Sequence, residues 1–166
     1  MHRLRYRFYG GGVGDLIHNQ APNDLDVSVP KEVSLVTAVE QLKNILVQSS
    51  FQFDRTESKG PYVVRVYFMS HIFNDEVIVE LVHTHHWTDR DGCQVDADIN
   101  NLCVYMLDGL LARATLEIRV PNQPVSATIV ENILAKQFVP VNRSKKRIEK
   151  LAARGYFPIS RQRPRL

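Results

Sequence analysis

The sequence has few cysteines, no long hydrophobic run and only a small net charge. Its two cysteines, Cys93 and Cys103, are too few for the disulfide framework of a small secreted domain. We therefore expect a reducing compartment, the cytoplasm or the nucleus. No apolar stretch approaches the roughly 20 residues that a membrane helix needs, and the N-terminus lacks a secretory hydrophobic segment. These absences lead us to expect no role in a membrane.

The composition is that of an ordinary globular domain, with 166 residues, 44% hydrophobic and 23% charged. A chain of this length buries about two-thirds of its unfolded surface, and no repeat or linker indicates a second unit. Segments of alternating apolar residues and segments of helical periodicity predict an α/β (α+β) fold, a mixed sheet flanked by helices. The predicted strands cover 3–9, 24–29, 51–53, 62–69, 76–82 and 114–120, with a strand or the start of a helix at 102–107. The predicted helices cover 15–19, 33–48 and 144–154, with a further helix starting at Ser126.

Positive charge is concentrated at the C-terminal end. From Arg143 onward there are nine Lys or Arg residues and one acidic residue, Glu149, whereas the first 142 residues have 12 basic and 17 acidic residues. A basic block on an acidic domain favours a polyanionic partner, and RNA is our candidate. The side chains expected to bind nucleic acid lie on the last predicted helix: Lys145, Lys146, Arg147, Lys150 and Arg154. The alternative is a solubilising helix face with a flexible tail.

A glycine-rich turn followed by two aspartates is the most informative part of the sequence. Asp24 and Asp26 point to one side of a predicted strand, because residues i and i+2 share a face. Two carboxylates aimed together repel each other, and a divalent metal with oxygen ligands, typically Mg²⁺ shared with phosphates, relieves that repulsion. Glycines in the segment 10–14 let backbone N–H groups approach a phosphate closely. The pattern predicts a metal-dependent phosphate site.

These residues resemble a known signature. The segment 10–15 (Gly-Gly-Gly-Val-Gly-Asp) and then Asp24-Leu25-Asp26 look like the Gly-Gly-x-Val-Arg-Asp and Asp-x-Asp motifs of one family. That family is the head (catalytic palm) domain of CCA-adding tRNA nucleotidyltransferases and bacterial poly(A) polymerases, in the DNA polymerase beta nucleotidyltransferase superfamily. The segment 96–100 resembles the end of the family's Arg-Arg-Asp-Phe-Thr-Ile-Asn segment. Gly14 stands where the signature has arginine, and 94–95 (Gln-Val) stand where it has the arginine pair.

The resemblance implies a domain organisation and a reaction. We expect a nucleotidyltransferase domain at 1–120, a C-terminal helical extension packed on it at 121–159 and a basic tail at 160–166. The implied reaction transfers a nucleoside monophosphate from a nucleoside triphosphate to an acceptor hydroxyl, on RNA by preference, with two Mg²⁺ ions about 3.5–4 Å apart. The implied metal-binding and catalytic residues are Asp24, Asp26 and Glu80, the last on the predicted strand 76–82. The implied nucleotide-binding residues are Gly10, Gly11, Asp15, Asp96 and Asn100.

Several alternatives remain open from the sequence. The fold could serve without catalysis, as a nucleotide-binding, RNA-binding or structural module of an oligomer or larger assembly. The chain could also be a plain nucleic-acid-binding protein, in which Asp96 and Asn100 only cap and stabilise a turn. The segment 83–87 (His-Thr-His-His-Trp) could bind zinc with the two cysteines, but the cysteine spacing is not that of a zinc pair. We place this segment near the mouth of the pocket instead.

Overall fold

A computed structural model describes residues 6–48, 50–72, 74–83, 97–105, 115–118, 126–140 and 145–160. The strands are β1 (Arg7–Tyr9), β2 (Asp24–Val29), β3 (Phe51–Ser58), β4 (Val63–Ser70), β5 (Glu76–His83), β6 (Leu102–Tyr105), β7 (Thr115–Ile118), β8 (Gln137–Phe138) and β9 (Phe157–Pro158). The helices are α1 (Gly11–Ile17), α2 (Leu35–Val47), a 3₁₀ helix (Asp98–Asn101), α3 (Ser126–Leu134) and α4 (Lys145–Ala153). Together they form the mixed, helix-flanked sheet that the sequence predicts.

Seven of the described strands form one sheet, in the order β3-β4-β5-β2-β1-β6-β7. Strands β2 and β5 run parallel at its centre, and the other neighbouring pairs run antiparallel. The parallel pair arises because α2 and the β3–β4 hairpin lie between β2 and β5 in the chain. This arrangement puts β2, the strand with the paired aspartates, directly beside β5, the strand with Glu80.

Helix α2 covers one face of this sheet. The alternate residues of β2, β4 and β5 that face it, such as Val29, Val66 and Val79, are almost fully buried. The predicted N-cap is confirmed, since the Thr37 N–H donates to Ser34 Oγ at 3.1 Å. Such a cap contributes about 1 kcal/mol. The charged residues of the central strands therefore lie on the opposite face, where the candidate site is.

The C-terminal helices pack on the glycine-rich helix. A second core cluster joins Val13 of α1 to Ile133 of α3, Leu151 of α4 and Tyr156. Helix α4 ends at Ala153, and Gly155 follows as predicted with a φ of 82°, the left-handed conformation that glycine adopts at little cost. The predicted boundary at 120–121 and the tail from 161 lie outside the described residues. No helix in the described part of the chain is long and apolar enough to cross a membrane.

Two predicted boundaries are wrong. Strand β3 continues to Ser58, although 55–60 is polar enough to be predicted as a turn. It lies at the edge of the sheet, where its polar side chains reach solvent. Helix α1 begins at Gly11 rather than at residue 15, so the glycine segment is itself helical and only Gly10, with φ 79°, makes the turn. Packing of Val13 into the core favours a helix where local propensity does not.

Asp98 holds the 3₁₀ helix to the C-terminal part of the fold. Its side chain is fully buried and accepts hydrogen bonds from Asn132 Nδ2 and from the Val139 N–H, both at 2.7 Å. Burial raises the pKa of the Asp98 carboxyl, and the two hydrogen bonds partly oppose that rise. The family segment has threonine at this position, and no sequence pattern predicts the buried role of Asp98.

We expect Asp98→Ala to lower the free energy of unfolding by about 2–4 kcal/mol. The reason is that it leaves a buried backbone N–H and the Asn132 amide without an acceptor. Urea unfolding followed by circular dichroism measures the change. Asp75→Ala, at an exposed aspartate, is the control and should stay within about 0.5 kcal/mol of the parent. A loss at Asp98 no larger than that of the control would contradict the structural role.

Candidate active site

The predicted acidic residues lie in one row across the centre of the sheet. Asp26 pairs in register with Glu80 on the parallel neighbour β5 and with Tyr9 on β1. Residues opposite one another in register point to the same side of the sheet. Asp24, two residues earlier on β2, shares that side. The structure therefore places Asp24, Asp26 and Glu80 on one face of two adjacent strands, away from α2.

The Glu80 carboxylate forms an ion pair with an arginine for which the sequence predicts no role. Arg65 on β4 lies opposite Glu80 in register, and its Nη2 and Nε donate to Glu80 Oε2 at 2.8 and 3.2 Å. The hydrogen bonding to Glu80 is the main reason that the pKa of the Arg65 guanidinium lies above its usual value. In the described residues, no group of three His, Cys, Asp or Glu side chains is arranged to hold a metal ion. The three carboxylates share a face without converging on one point.

The carboxylate of Asp26 lies in an unfavourable electrostatic environment. Burial, then the negative charges of Asp24 and Glu80, raise the pKa of the Asp26 carboxyl from 3.8 to about 6. A divalent cation beside Asp24 and Asp26 would offset both causes, because it supplies charge that the buried oxygens lack. The Asp24–Asp26 pair therefore fits a Mg²⁺ ion. Glu80 could contribute only one carboxylate oxygen to such an ion, because its Oε2 is bound to Arg65.

The glycine turn lies directly against the Asp26 carboxylate. A Cβ built at Gly10 would come within 3.0 Å of Asp26 Oδ2, and the backbone there has φ 79°. Both the space and the conformation require glycine. At Gly12, a Cβ would meet the Phe8 ring at 2.8 Å and the Asp24 carbonyl oxygen at 3.2 Å. The glycines thus let the start of α1 approach the two aspartates closely.

Two predicted ligand-binding residues bind each other. The Arg154 guanidinium at the end of α4 donates through Nη2 to Asp15 Oδ1 of α1, and both side chains are partly shielded from solvent. Its Nη1 lies over Gly11, where an added Cβ would come within 2.8 Å. Arg154 was predicted to bind nucleic acid and Asp15 to bind nucleotide. In the structure their ion pair connects the end of α4 to α1.

The other predicted basic residues of α4 differ in their effect on Asp26. The positive charges of Lys150 and Arg147 lower the pKa of Asp26, although burial and the acidic neighbours outweigh them. The Nζ atom of Lys145 lies 3.8 Å from Glu149 Oε1, one turn along the helix. Lys145, Lys146, Arg147 and Lys150 are all exposed, so the four basic side chains of α4 reach solvent.

The remaining predicted residues are only partly within the described chain. Asn100 lies half-buried in the 3₁₀ helix, and its N–H donates to the Ala97 carbonyl at 3.1 Å. Asp96 and the segment 84–93, which includes Cys93 of the zinc alternative, lie outside the described residues, whereas Cys103 pairs in register with Tyr9 on β1. His83 is buried at the end of β5, and its ring stacks on Tyr62 with centroids 6.3 Å apart.

We expect Asp26→Asn to stabilise the metal-free protein above pH 6. A carboxyl whose pKa rises on folding stabilises the fold below its unfolded value, near 4, and that contribution is lost as pH rises to 6. A shift of this size, discounted for partial exposure, corresponds to about 1–2 kcal/mol. Urea unfolding in EDTA from pH 4 to pH 8 measures it. Equal free energies of unfolding of parent and variant at pH 8 would contradict a raised pKa at Asp26.

Comparison with protein-family models and with curated proteins finds no match. Solved structures do match. A tRNA-processing enzyme in a complex superposes with a TM-score of 0.62 at 16% identity, over 95% of this chain and 41% of that one. A CCA-adding enzyme with CTP gives 0.60 at 13% identity, over 95% and 37%. The Thermotoga maritima CCA-adding enzyme with tRNA gives 0.57 at 12% identity, over 95% and 36%.

These structures share their fold with nearly the whole chain, whereas the chain spans only about two-fifths of their length. At such low identity the likeness concerns the fold alone. The shared fold agrees with the family resemblance that the sequence shows in the glycine-rich turn and the Asp24–Asp26 strand. The chain has the nucleotidyltransferase palm fold of the CCA-adding and tRNA-processing enzymes.

Proposed function

We propose that the protein is a metal-dependent nucleotidyltransferase that transfers a nucleoside monophosphate from a nucleoside triphosphate to an acceptor hydroxyl. The observation that carries the proposal is the crowded negative charge of Asp24 and Asp26 beside Gly10, within a nucleotidyltransferase fold. A carboxylate with a raised pKa next to a closely approaching backbone is typical of a functional site. A structural role alone would favour a neutral residue at position 26.

The chemistry assigns a part to each group. The acceptor oxygen forms a bond to the α-phosphorus, the bond between the α-phosphorus and the bridging oxygen breaks, pyrophosphate leaves and the hydroxyl proton passes to water. Mg²⁺ bound at Asp24 and Asp26, as one ion or as the predicted two, would supply charge to the attacking and leaving oxygens. Gly10 and Gly11 would approach the phosphates through their backbone N–H groups, next to Asp26 Oδ2 at Gly10 and Arg154 Nη1 at Gly11. The protein mainly positions the groups and neutralises charge.

Glu80 has a positioning role in this proposal, because Arg65 fixes one of its oxygens. The ion pair holds the Glu80 carboxylate in a defined place beside Asp26. Its charge raises the affinity of the aspartates for a cation even where it does not ligate the ion itself. The predicted role of Glu80 as a third metal ligand remains part of the proposal.

RNA is the acceptor that we favour. The C-terminal block is strongly basic, and solved structures with the same fold include a tRNA-processing enzyme and a CCA-adding enzyme in complex with tRNA. This chain spans about two-fifths of the length of those proteins, and the likeness to them concerns the fold. We propose RNA as a class of acceptor and do not carry their whole activity over to this chain.

We expect Asp24→Asn and Asp26→Asn each to reduce nucleotidyl transfer at least about 1000-fold. Each substitution removes a charge that the metal and the transferred phosphate require, while the side-chain volume is kept. Incubation with labelled ATP or CTP, Mg²⁺ and total RNA, followed by gel analysis, measures the product.

Asp75→Asn is the matched control, since Asp75 is an exposed aspartate and should keep full activity. Thermal unfolding confirms that each variant is folded. Transfer by the Asp24→Asn variant at the parent rate would refute the mechanism. If the parent binds nucleotide but transfers nothing to RNA, protein or small-molecule hydroxyls, the chain is the non-catalytic binding module.

A further inference from the structure

The face of the sheet that carries the paired aspartates continues across β5 and β4 to the edge strand β3. Asp24 on β2 is in register with Ile78 on β5. Ile78 is in register with Tyr67 on β4, and Tyr67 with Arg55 on β3. These four residues therefore form a second row on that face, beside the acidic one. Neighbouring strands lie about 4.8 Å apart, so the Tyr67 backbone is roughly 10 Å from that of Asp24.

Arg55 and Tyr67 form a stack in this row. The guanidinium carbon of Arg55 lies 3.7 Å from the centre of the Tyr67 ring, and Tyr67 is only 6% exposed. The Tyr67 hydroxyl donates to Glu57 Oε2 at 2.8 Å, which holds the ring in place. The ring shields one side of the guanidinium, whereas 52% of the arginine side chain stays exposed. The stack therefore presents a planar cation to solvent.

Two carboxylates fix the Arg55 side chain over the ring. Arg55 Nη1 donates to Asp54 Oδ2 and, at 3.1 Å, to Glu76 Oε2. Because both acids bind to one nitrogen, Nε and Nη2 remain, among the described residues, for hydrogen bonds to a further acceptor. A guanidinium held flat and partly shielded from water stacks on nucleobases and donates to their edges.

The charge around the stack favours a base over a phosphate. In the ion-pair network that the described residues form there, three cations face four carboxylates. They are Arg55, Lys59 and Arg65, and Asp54, Glu57, Glu76 and Glu80. A phosphate would meet this negative excess with repulsion. A nucleobase carries no charge and stacks through its π face.

The position of the stack decides between the two substrates of the proposed reaction. Gly10 lies against Asp26 on the side of β1, where the nucleotide phosphates would bind. The stack lies on the opposite side of β2, beyond β5. In phosphoryl transfer the attacking and leaving oxygens are roughly in line, on opposite sides of the phosphorus. The acceptor therefore approaches from the side of the stack.

Resting on the proposed function, we propose that Arg55 and Tyr67 form a stacking platform for the unpaired terminal base of the acceptor RNA. The 3′-hydroxyl of the same nucleotide then reaches the paired aspartates one row along. Stacking of this kind tolerates different sequences, because every base has a π face. The platform positions the acceptor and does not select one base.

The experiment uses two short single-stranded RNAs that differ only in their 3′-terminal nucleotide, which is 2-aminopurine in one and abasic in the other. Calorimetry measures the Kd and quenching of 2-aminopurine fluorescence measures stacking, both with Mg²⁺ and without nucleotide. The test variants are Arg55→Ala, which removes the guanidinium, and Arg55→Lys, which keeps the charge without the plane. The matched control is Lys59→Ala, since Lys59 also pairs with a carboxylate of β3. Circular dichroism and thermal unfolding establish that each variant is folded.

We expect the parent to bind the RNA with the terminal base about 10-fold more tightly than the abasic RNA, and to quench its fluorescence. Both Arg55 variants should reduce this preference to less than about 2-fold, whereas Lys59→Ala should keep it. Equal Kd values of the parent for the two RNAs, or binding of neither, would overturn the inference. A preference that survives in Arg55→Lys, or that Lys59→Ala loses equally, would overturn it in favour of charge alone.

These results are separable from the proposed function. In the transfer assay, Arg55→Ala should raise KM for the acceptor RNA and leave KM for the nucleotide unchanged, and the reverse would overturn the inference in favour of the nucleotide base. If the terminal base is bound through Arg55 but no transfer occurs, the inference holds and the proposed transferase activity fails. If transfer occurs and Arg55→Ala leaves both the acceptor KM and the terminal-base preference unchanged, the proposed function holds and the inference fails.

Discussion

The repulsion between Asp24 and Asp26 is the constraint on which the rest of the site depends. A strand with two carboxylates on one face, one of them partly buried, is stable only if the surrounding structure tolerates or neutralises the charge. The sheet does so in two ways. Arg65 binds Glu80, the nearest carboxylate on β5, and Gly10 brings a backbone without a side chain against Asp26. The unbalanced charge that remains at Asp26 is the feature that favours a cation-dependent function.

The fold was predictable because its signals are periodic. The alternation in β2 and β5 and the helical spacing in α2 each identify a buried face, and the N-cap at Ser34 follows from local chemistry. The helix that starts at Gly11 was not predictable from propensity. It forms because Val13 packs into a core shared with Leu151 and Tyr156, a tertiary effect that no local pattern contains.

The candidate site was predictable only in part, for the same reason. The two aspartates on one strand have a fixed local geometry, whereas the contact of Glu80 with Arg65 depends on the register of the β4–β5 hairpin. The predicted strands 62–69 and 76–82 contain Arg65 and Glu80, but their alternation alone does not say that these two strands pair. The ion pair of Asp15 with Arg154 joins residues far apart in the chain, so no local pattern predicts it.

The measurement that tests this account most directly is a crystal structure with Mn²⁺ and a non-hydrolysable nucleoside triphosphate, using anomalous scattering to locate the metal. The account predicts a manganese peak coordinated by oxygens of Asp24 and Asp26, with the nucleotide phosphates bound to that ion. A bound nucleotide whose metal lies away from both aspartates would contradict the account. So would protein that, saturated with Mn²⁺ and nucleotide, shows no metal beside Asp26.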